Sequence, residues 1–292
     1  MNVLLTGATG FIGRSLFEQL RVDANVFPVV RSRDDDVTKQ FDDSAGVVVW
    51  DLANETAPMD QLPKAIDSIV HMAQSRCYQG FPEHGLDVAN VNVTATAKLL
   101  DYGARCGAKT FCYASSGSVY EPYIGDLSEE SALTPTSVNG CTKAAGEMLV
   151  RGYAKIMKSC ALRLFTPYGP GQVNRLFPKL IDRIELGETI DLAGGLGPLI
   201  RPLYISDAVR VMQQAVLEEW EGAINVAGIE TLHLRDIVRR LGDELSQVPI
   251  IRDTSDDIMN LAPPTHVLEK RMDVSDFITH TDGIRLMLEA RR

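Results

Sequence analysis

Cysteine is scarce in this sequence, and long apolar runs are missing from it. The five cysteines are odd in number and widely spaced, and they form no Cys-x-x-Cys pair. We therefore expect neither a disulfide framework nor a zinc or other metal site. No apolar run approaches the roughly 18 residues that a membrane-spanning helix needs. The sequence thus predicts a protein that does not enter a membrane.

Basic residues are also fewer than acidic ones. The 292 residues include 29 Lys and Arg against 39 Asp and Glu, for a formal net charge of −10. A negative protein repels the phosphates of nucleic acids, so we expect no nucleic-acid partner. The first residues lack the basic start, apolar stretch and cleavage site of a signal peptide. Together with the unpaired cysteines, this predicts a cytoplasmic location.

The first half of the chain alternates short β-rich runs with longer helical patterns, which is typical of a parallel sheet. The predicted strands are Val3–Thr6, Val26–Val30, Val47–Trp50, Ser68–Met72, Thr110–Ser115 and Cys160–Leu164. The predicted helices are Arg14–Leu20, Val88–Gly103 and Thr142–Met157, which carry apolar residues at helical spacing,. Asp207–Glu218 and Ile224–Val226 could return to the sheet as a helix and a strand.

These patterns predict an α/β fold with a Rossmann-like doubly wound parallel sheet and a smaller C-terminal lobe. After Leu164 the pattern is less regular, and eight prolines punctuate shorter elements,. We expect a dinucleotide-binding domain at 1–165, to which 201–227 return. The segments 166–200 and 228–292 are expected to form a substrate-binding lobe.

A glycine-rich turn near the N-terminus predicts a dinucleotide site. Gly7, Gly10 and Gly13 follow an apolar strand and open a helix, with Phe11 and Ile12 between the last two. Glycines let the backbone turn tightly and approach a pyrophosphate, whose charge is met by amides at the helix N-terminus. A nicotinamide dinucleotide is therefore the expected cofactor.

The residues after the second strand bear on which dinucleotide binds. An acid at this place favours NAD, because it accepts a hydrogen bond from the adenosine ribose. Here Arg31 and Arg33 follow the strand instead, and guanidinium groups suit a 2′-phosphate. We expect NADP(H) to be preferred, with NAD(H) possible. The alternative is that the two arginines pair with Asp34, Asp35 and Asp36 in a solvated loop.

Further motifs occur in a fixed order along the chain. They are Asp51-Leu52 after the third strand, His71-Met72-Ala73 at the fourth, Asn92 in a helix, Ser115 to Tyr120 at the fifth strand, Arg163 to Pro170, and Arg201 before Tyr204 to Ala208. In this order they resemble the extended short-chain dehydrogenase/reductase family, in its nucleotide-sugar epimerase/dehydratase branch. The resemblance spans nearly the whole chain.

The resemblance implies roles for these residues. Asp51, Leu52, Met72, Ala73, Asn92, Ser115, Lys143 and Phe165 would contact the cofactor, while Ser116, Thr166, Asn174, Arg175 and Arg201 would contact a nucleotide-diphosphate sugar. His71 is expected to be structural. Each residue also has an ordinary structural alternative: Asp51 as a turn residue, Asn92 as a polar group satisfied within its helix, and Arg201 as a surface cation. A homodimer through two helices is a further implication.

The sequence departs from the family pattern at the catalytic centre. The family carries a tyrosine and a lysine four residues apart at the start of a helix; here Lys143 is present, but Asn139 occupies the tyrosine position. An amide does not titrate near neutral pH, so it can orient a substrate oxygen without serving as acid or base. Ser116, Asn139 and Lys143 are the predicted catalytic residues.

Three accounts of this departure stay open. Tyr120, Tyr168 or Cys141 could move the proton instead. Ser116, Lys143 and water could suffice. The fold could also persist as a catalytically impaired, dinucleotide-binding sensor or scaffold.

The residues after Ser116 bear on the type of reaction. Related sugar-nucleotide dehydratases carry an Asp-Glu pair where this chain has Gly117 and Ser118. The resemblance therefore favours keto-reduction or epimerisation over 4,6-dehydration.

Overall fold

The computed structural model describes residues 1–32, 38, 41, 46–53 and 56–291. The chain forms two compact units. The first contains Met1–Pro122, Ala132–Arg163 and Val209–Ile224, and the second contains Tyr123–Ser131, Leu164–Ala208 and Asn225–Arg292. The assignment of one domain to the cofactor and one lobe to the substrate stays a prediction.

A seven-stranded parallel sheet organises the first unit and confirms the predicted Rossmann-like fold. Its strands are β1 (Asn2–Thr6), β2 (Asn25–Val30), β3 (Val48–Val49), β4 (Ser68–His71), β5 (Thr110–Ser116), β6 (Lys158–Leu164) and β11 (Gly222–Val226). Their order across the sheet is β11-β6-β5-β4-β1-β2-β3. The chain therefore reverses its direction of strand addition between β1 and β4. In parallel sheets, ligands bind beyond the carboxyl ends of the strands at such a switch point.

Helices connect these strands, as the apolar spacing predicts. They are α1 (Phe11–Leu20), α2 (Gly85–Ala89), α3 (Ala95–Cys106), α4 (Val138–Gly152) and α6 (Ile205–Leu217). A π-helical segment, Asn90–Thr94, joins α2 to α3, so the predicted helix Val88–Gly103 is continuous but not uniformly α-helical. The predicted C-terminal end of the helix Thr142–Met157, which corresponds to α4, is wrong. The helix stops at Gly152, and hydrogen-bonded turns lead from there to β6.

The second unit consists of short strands and helices. Its strands are β7 (Pro167–Tyr168), β8 (Ile190–Ala193), β9 (Leu199–Ile200), β10 (Leu203–Tyr204), β12 (Leu232–His233), β13 (Ile251–Thr254) and β14 (Asn260–Leu261). Its helices are α5 (Leu176–Glu185), α7 (Leu234–Leu245), α8 (His266–Glu269) and α9 (His280–Glu289). The strands pair in twos and threes rather than in one sheet, which agrees with the irregular, proline-rich sequence.

Each unit has its own apolar core. In the first unit, Leu4, Ile69 and Phe111 from adjacent strands are buried against Leu99 and Leu100 of α3. In the second, aromatic and branched side chains of α5, α7 and α9 pack around β8 and β9. Within the described ranges, no helix has both the length and the apolar content needed to cross a membrane.

Candidate functional site

The glycine turn leaves a helix N-terminus open. Gly7 has φ +71°, and a Cβ there would lie 2.7 Å from the amide nitrogen of Ala73. A Cβ on Gly13 would lie 2.1 Å from the carbonyl oxygen of Gly7, so only glycine allows α1 to begin this close to β1. No side chain in the described structure caps α1, and its first turn contains no acid. Its first amides, including those of Phe11 and Ile12, therefore suit the pyrophosphate of a dinucleotide.

The residues predicted around the adenosine lie beside the ends of β2 and β3. Arg31 directly follows β2 and is exposed, whereas Arg33 lies outside the described residues. Asp51 is exposed and its Oδ1 accepts a hydrogen bond from the amide of Ala53 at 3.1 Å, as in a turn. Leu52 is buried. Leu52 belongs to the apolar core of the first unit, and contacts of Arg31, Asp51 and Leu52 with a cofactor stay a prediction.

The end of β4 is tied to β1 by a histidine. His71 is fully buried, and its Nδ1 lies 2.7 Å from Oγ1 of Thr6. The same Thr6 oxygen accepts a hydrogen bond from the amide of Ala73 at 3.2 Å. Burial, with the nearby charge of Lys143, lowers the pKa of His71 to about 3, so the ring is neutral at pH 7. These contacts support a structural role for His71, with Met72 and Ala73 placed beside the glycine turn.

Asn92 lies in the π-helical segment and faces α4. It is fully buried, and its Nδ2 donates to Oγ1 of Thr142 at 3.0 Å. Single π-helical turns often occur at functional sites. The contact fixes Asn92 against the helix that carries Asn139 and Lys143, which supports an indirect role for it in the site.

Lys143 is buried next to an ion pair. Its Nζ donates to the carbonyl oxygen of Ala114 at 2.7 Å. Burial lowers the pKa of Lys143 to about 7, an effect partly opposed by the charge of Glu147. The Glu147 carboxylate accepts hydrogen bonds from Ser115 and, at 2.7 to 3.2 Å, from Nε and Nη2 of Arg163. Arg163 therefore neutralises the charge of Glu147. Among the described residues, no carboxylate forms an ion pair with Lys143 alone.

A chain of hydrogen bonds connects two of the predicted catalytic residues, Asn139 and Ser116. Nε2 of Gln74 donates to Oδ1 of Asn139 at 2.8 Å, and Nδ2 of Asn139 donates to Oγ of Ser118 at 3.0 Å. The hydroxyl of Ser118 donates to Oγ of Ser116 at 3.0 Å, and the amide of Ser118 donates to the same oxygen at 3.2 Å. We call Gln74, Asn139, Ser118 and Ser116 the amide–hydroxyl chain. No member of it titrates near neutral pH.

The local sequence explains how Asn139 reaches Ser118. Ser137 is the N-cap of α4, and its Oγ accepts a hydrogen bond from the amide of Gly140 at 3.0 Å,. A Cβ on Gly140 would lie 2.5 Å from the carbonyl oxygen of Ser118. Glycine at this position thus lets the first turn of α4 lie directly against the 3₁₀ turn Gly117–Tyr120.

Sequence reasoning missed two members of the chain. The sequence analysis predicts no site role for Ser118 beyond the absence of a carboxylate there, and none for Gln74. Gln74 directly follows the His71-Met72-Ala73 motif, so its position after β4 was the available signal.

The other three candidate proton donors differ in their surroundings. The hydroxyl of Tyr120 accepts a hydrogen bond from Nη1 of Arg163 at 2.5 Å. Cys141 is exposed, with its Sγ 3.2 Å from the carbonyl oxygen of Pro135. In the second unit, Tyr168 is fully buried, stacks on Phe177, and has its pKa raised by burial.

The residues predicted to contact the substrate belong mostly to the second unit. Thr166 and Asn174 adopt positive φ values of 42° and 55°, and a positive φ at a β-branched residue such as Thr166 is an uncommon strain that often marks a functional site. Arg175 is the N-cap of α5, and burial lowers its pKa. The guanidinium of Arg201 donates to the carbonyl oxygens of Gly228, Pro263 and Ile229. Its role toward a substrate phosphate stays a prediction.

Phe165, which is predicted to contact the cofactor, directly follows β6 and is held by the backbone. Phe165 is buried, and its amide donates to the carbonyl oxygen of Val226 at 2.9 Å. Among the residues that the structure describes, no group of three His, Cys, Asp or Glu side chains could hold a metal ion.

Comparison with known proteins identifies the family of this chain. The model of the NAD dependent epimerase/dehydratase family matches residues 3–227. An uncharacterized UDP-glucose epimerase of Bacillus subtilis (strain 168), YtcB, is 30% identical over 272 residues, which are 83% of this chain and 82% of that protein. A dTDP-4-dehydro-6-deoxyglucose reductase of Escherichia coli is 24% identical over 269 residues, 86% of this chain and 84% of that protein.

A solved structure shares the fold over nearly the whole chain. The UDP-glucuronic acid 4-epimerase of Bacillus cereus, crystallised with UDP-glucuronic acid and NAD, superposes with a TM-score of 0.85. The two sequences are 22% identical, and the alignment covers 99% of this chain and 98% of the other. The likeness thus extends through the second unit, where the sequence pattern is irregular.

Proposed function

The chain belongs to the NAD-dependent epimerase/dehydratase family, and on that basis we propose that it reduces a keto group on a nucleotide-diphosphate sugar with a nicotinamide dinucleotide. The open N-terminus of α1 supports the cofactor assignment. The similarity to a UDP-glucose epimerase and to a dTDP-4-dehydro-6-deoxyglucose reductase supports the substrate class. Reduction is favoured over epimerisation by the hydrogen-bond state of one hydroxyl.

That hydroxyl is Ser116, and its oxygen already accepts two hydrogen bonds. Both come from Ser118, one from its amide and one from its hydroxyl. A hydroxyl oxygen has two lone pairs and one hydrogen. With both lone pairs engaged, Ser116 can donate a hydrogen bond but cannot accept a proton.

A donating hydroxyl suits a carbonyl substrate. When bound, the reduced nicotinamide would supply a hydride to the carbonyl carbon, so that negative charge would develop on the carbonyl oxygen. Ser116 donates to that oxygen and stabilises the charge as it develops. Water then supplies the proton that completes the alcohol. Gln74 holds the amide of Asn139 by its oxygen, and one N–H of that amide donates to Ser118. The second N–H can donate to the substrate oxygen from the position that a tyrosine occupies in the family.

The same arrangement opposes the two competing reactions. Epimerisation begins with oxidation of an alcohol, which requires a base to take the hydroxyl proton. Dehydration requires groups that remove and deliver protons, and Gly117 and Ser118 supply no carboxylate. The amide–hydroxyl chain contains no base, so oxidation of an alcohol would have to release its proton to water, which is unfavourable near neutral pH. We infer that epimerisation and dehydration are slow compared with reduction of a supplied ketone. We also keep the predictions that the protein forms a homodimer and that it is located in the cytoplasm.

The direction of catalysis tests this proposal. We expect the wild-type protein to consume NADPH, measured as loss of absorbance at 340 nm, when a dTDP-4-keto-6-deoxyhexose is supplied. With UDP-glucose and NADP⁺ we expect neither NADPH formation nor UDP-galactose. Interconversion of UDP-glucose and UDP-galactose without net cofactor change would contradict the proposal. Binding of both ligands without any turnover would favour the sensor or scaffold alternative.

We further propose a preference for NADP(H), supported by the exposed Arg31 directly after β2. A guanidinium contact with a 2′-phosphate contributes about 1.5–3 kcal/mol. Arg31→Ala is therefore expected to weaken NADPH binding by about tenfold or more and to leave NADH binding almost unchanged. Fluorescence titration of both cofactors measures the two affinities.

A matched control for this change is Arg21→Ala. Arg21 is also exposed, but it lies at the far end of α1, where it pairs with Glu18 at 3.4 Å. This variant should bind both cofactors as the wild type does. Tighter binding of NADH than of NADPH by the wild-type protein would refute the preference.

A further inference from the structure

A groove in the first unit begins at the amide–hydroxyl chain. It has a volume of about 560 Å³, and both Ser118 and Asn139 line it. The remaining wall comes from the loop after β4, the turn after β5 and the start of α4. A substrate whose carbonyl oxygen meets Ser116 would therefore extend a neighbouring substituent into this groove.

The lining of the groove has a definite chemical character. Tyr78 and Phe81 provide aromatic surface, and Gln79, Thr136 and Ser137 provide uncharged polar groups. Among the described residues that line it, Glu121 is the one charged side chain, and we call the site the Glu121 groove. Apolar and aromatic surface with a small number of polar groups is typical of small-molecule sites, in which the polar groups fix the orientation of the ligand.

The Glu121 carboxylate is held in place. Its Oε2 accepts a hydrogen bond from the amide of Ser137 at 2.8 Å, directly before α4. The side chain is partly buried. A fixed carboxylate accepts hydrogen bonds from a hydroxyl, but it repels a second carboxylate brought into the same groove.

We propose that the Glu121 groove receives the substituent next to the reacting carbon of the sugar, and that it selects a neutral substituent there over the carboxylate of a uronic acid. This proposal rests on the proposed function, because it assumes that a nucleotide sugar binds at the amide–hydroxyl chain. The proposed preference would distinguish this protein from the UDP-glucuronic acid 4-epimerase of similar fold, which was crystallised with UDP-glucuronic acid.

Calorimetric titration with UDP-glucose and UDP-glucuronic acid tests the proposal, because the two ligands differ only at the substituent concerned. We expect the wild-type protein, saturated with NADPH, to bind UDP-glucose about tenfold more tightly at low salt. Glu121→Gln keeps an oxygen for the amide of Ser137 but removes the charge. In this variant the ratio should fall to within about threefold, mainly because UDP-glucuronic acid binds more tightly.

Two further variants complete the test. Glu83→Gln removes an exposed carboxylate from the same loop that carries Phe81, and Glu83 does not line the groove. This variant should keep the wild-type ratio. Gln79→Lys adds a cation at an exposed position of the groove and should reverse the preference toward UDP-glucuronic acid, whether or not the Glu121 variant folds.

The possible failures can be told apart. An unchanged ratio in both Glu121→Gln and Gln79→Lys, or equal affinities in the wild type, would overturn the groove proposal while leaving nucleotide-sugar binding intact. Failure of the wild type to bind either nucleotide sugar, with NADPH binding retained, would overturn the proposed function and this inference with it.

Discussion

Replacing Ser116 by alanine is expected to slow keto reduction by about 10²–10³-fold, the usual cost of removing one donor that stabilises a developing oxyanion. The hydroxyl of Ser116 can only donate, since Ser118 occupies both of its lone pairs. Its loss should affect the hydride-transfer step far more than the binding of the sugar nucleotide. Single-turnover absorbance at 340 nm measures the step directly.

Two related variants show whether the hydroxyl itself is responsible. Ser116→Thr keeps a hydroxyl on the same carbon and should retain most of the rate. Ser118→Ala keeps the Ser116 hydroxyl but removes one of its two hydrogen-bond donors, so a smaller loss is expected. Equal rates for Ser116→Ala and the wild type would show that another group holds the carbonyl oxygen.

Replacing Lys143 by methionine is expected to stabilise the protein while weakening its function. Burial of an ammonium without an ion-pair partner costs free energy, and Met is an apolar side chain of similar length. The Glu147 carboxylate stays matched by Arg163 after the change. From the lowered pKa of Lys143, we expect a gain on the order of a few kcal/mol in the free energy of unfolding at or below pH 7,.

The pH dependence of this gain has a definite sign. Lys143 titrates at about 7 in the folded protein and at its ordinary 10.5 when unfolded. Below pH 7 both states carry the proton, and the full cost of the buried ammonium is present. Between pH 7 and 10.5 only the unfolded state carries it, so this group makes wild-type stability rise with pH. The advantage of Lys143→Met should therefore be greatest at or below pH 7 and vanish near pH 10.5.

Urea unfolding at several pH values measures this difference. Lys179→Met, a change at an exposed lysine of α5, is the control and should show no comparable trend. The same Lys143 variant should bind NADPH about 10–100-fold more weakly if the ammonium holds the nicotinamide ribose. A Lys143→Met protein that is less stable than the wild type at pH 6 would refute the account of its burial.

The sequence was sufficient to predict the sheet and the cofactor turn, because both depend on local patterns. Apolar strands alternate with helices of regular period, and Gly7 and Gly13 stand where any side chain would clash. The apolar pattern places the end of α4 too late, because apolar residues continue to Met157 in hydrogen-bonded turns. The pattern does not reveal the π-helical segment, since its residues keep a helical spacing.

The hydrogen-bond state of the site could not be predicted from the sequence. Asn139 and Ser116 were identified by resemblance, but Gln74 lies 65 positions from its partner Asn139. Only the folded chain shows that Gln74 orients the Asn139 amide and that Ser118 saturates the Ser116 oxygen. The second unit was equally difficult, because its short strands pair across irregular loops. The surroundings of Arg201 illustrate this, since its three carbonyl partners come from two distant segments.

The central claim is that the amide–hydroxyl chain supports delivery of a hydride to a sugar ketone. The most direct measurement follows the hydride itself, using NADPH deuterated at the transferred position with a dTDP-4-keto-6-deoxyhexose and wild-type protein. Mass spectrometry should find one deuterium on the former carbonyl carbon for each NADPH consumed. Loss of the keto sugar without deuterium transfer, or epimerised sugar with the NADPH pool unchanged, would contradict the account.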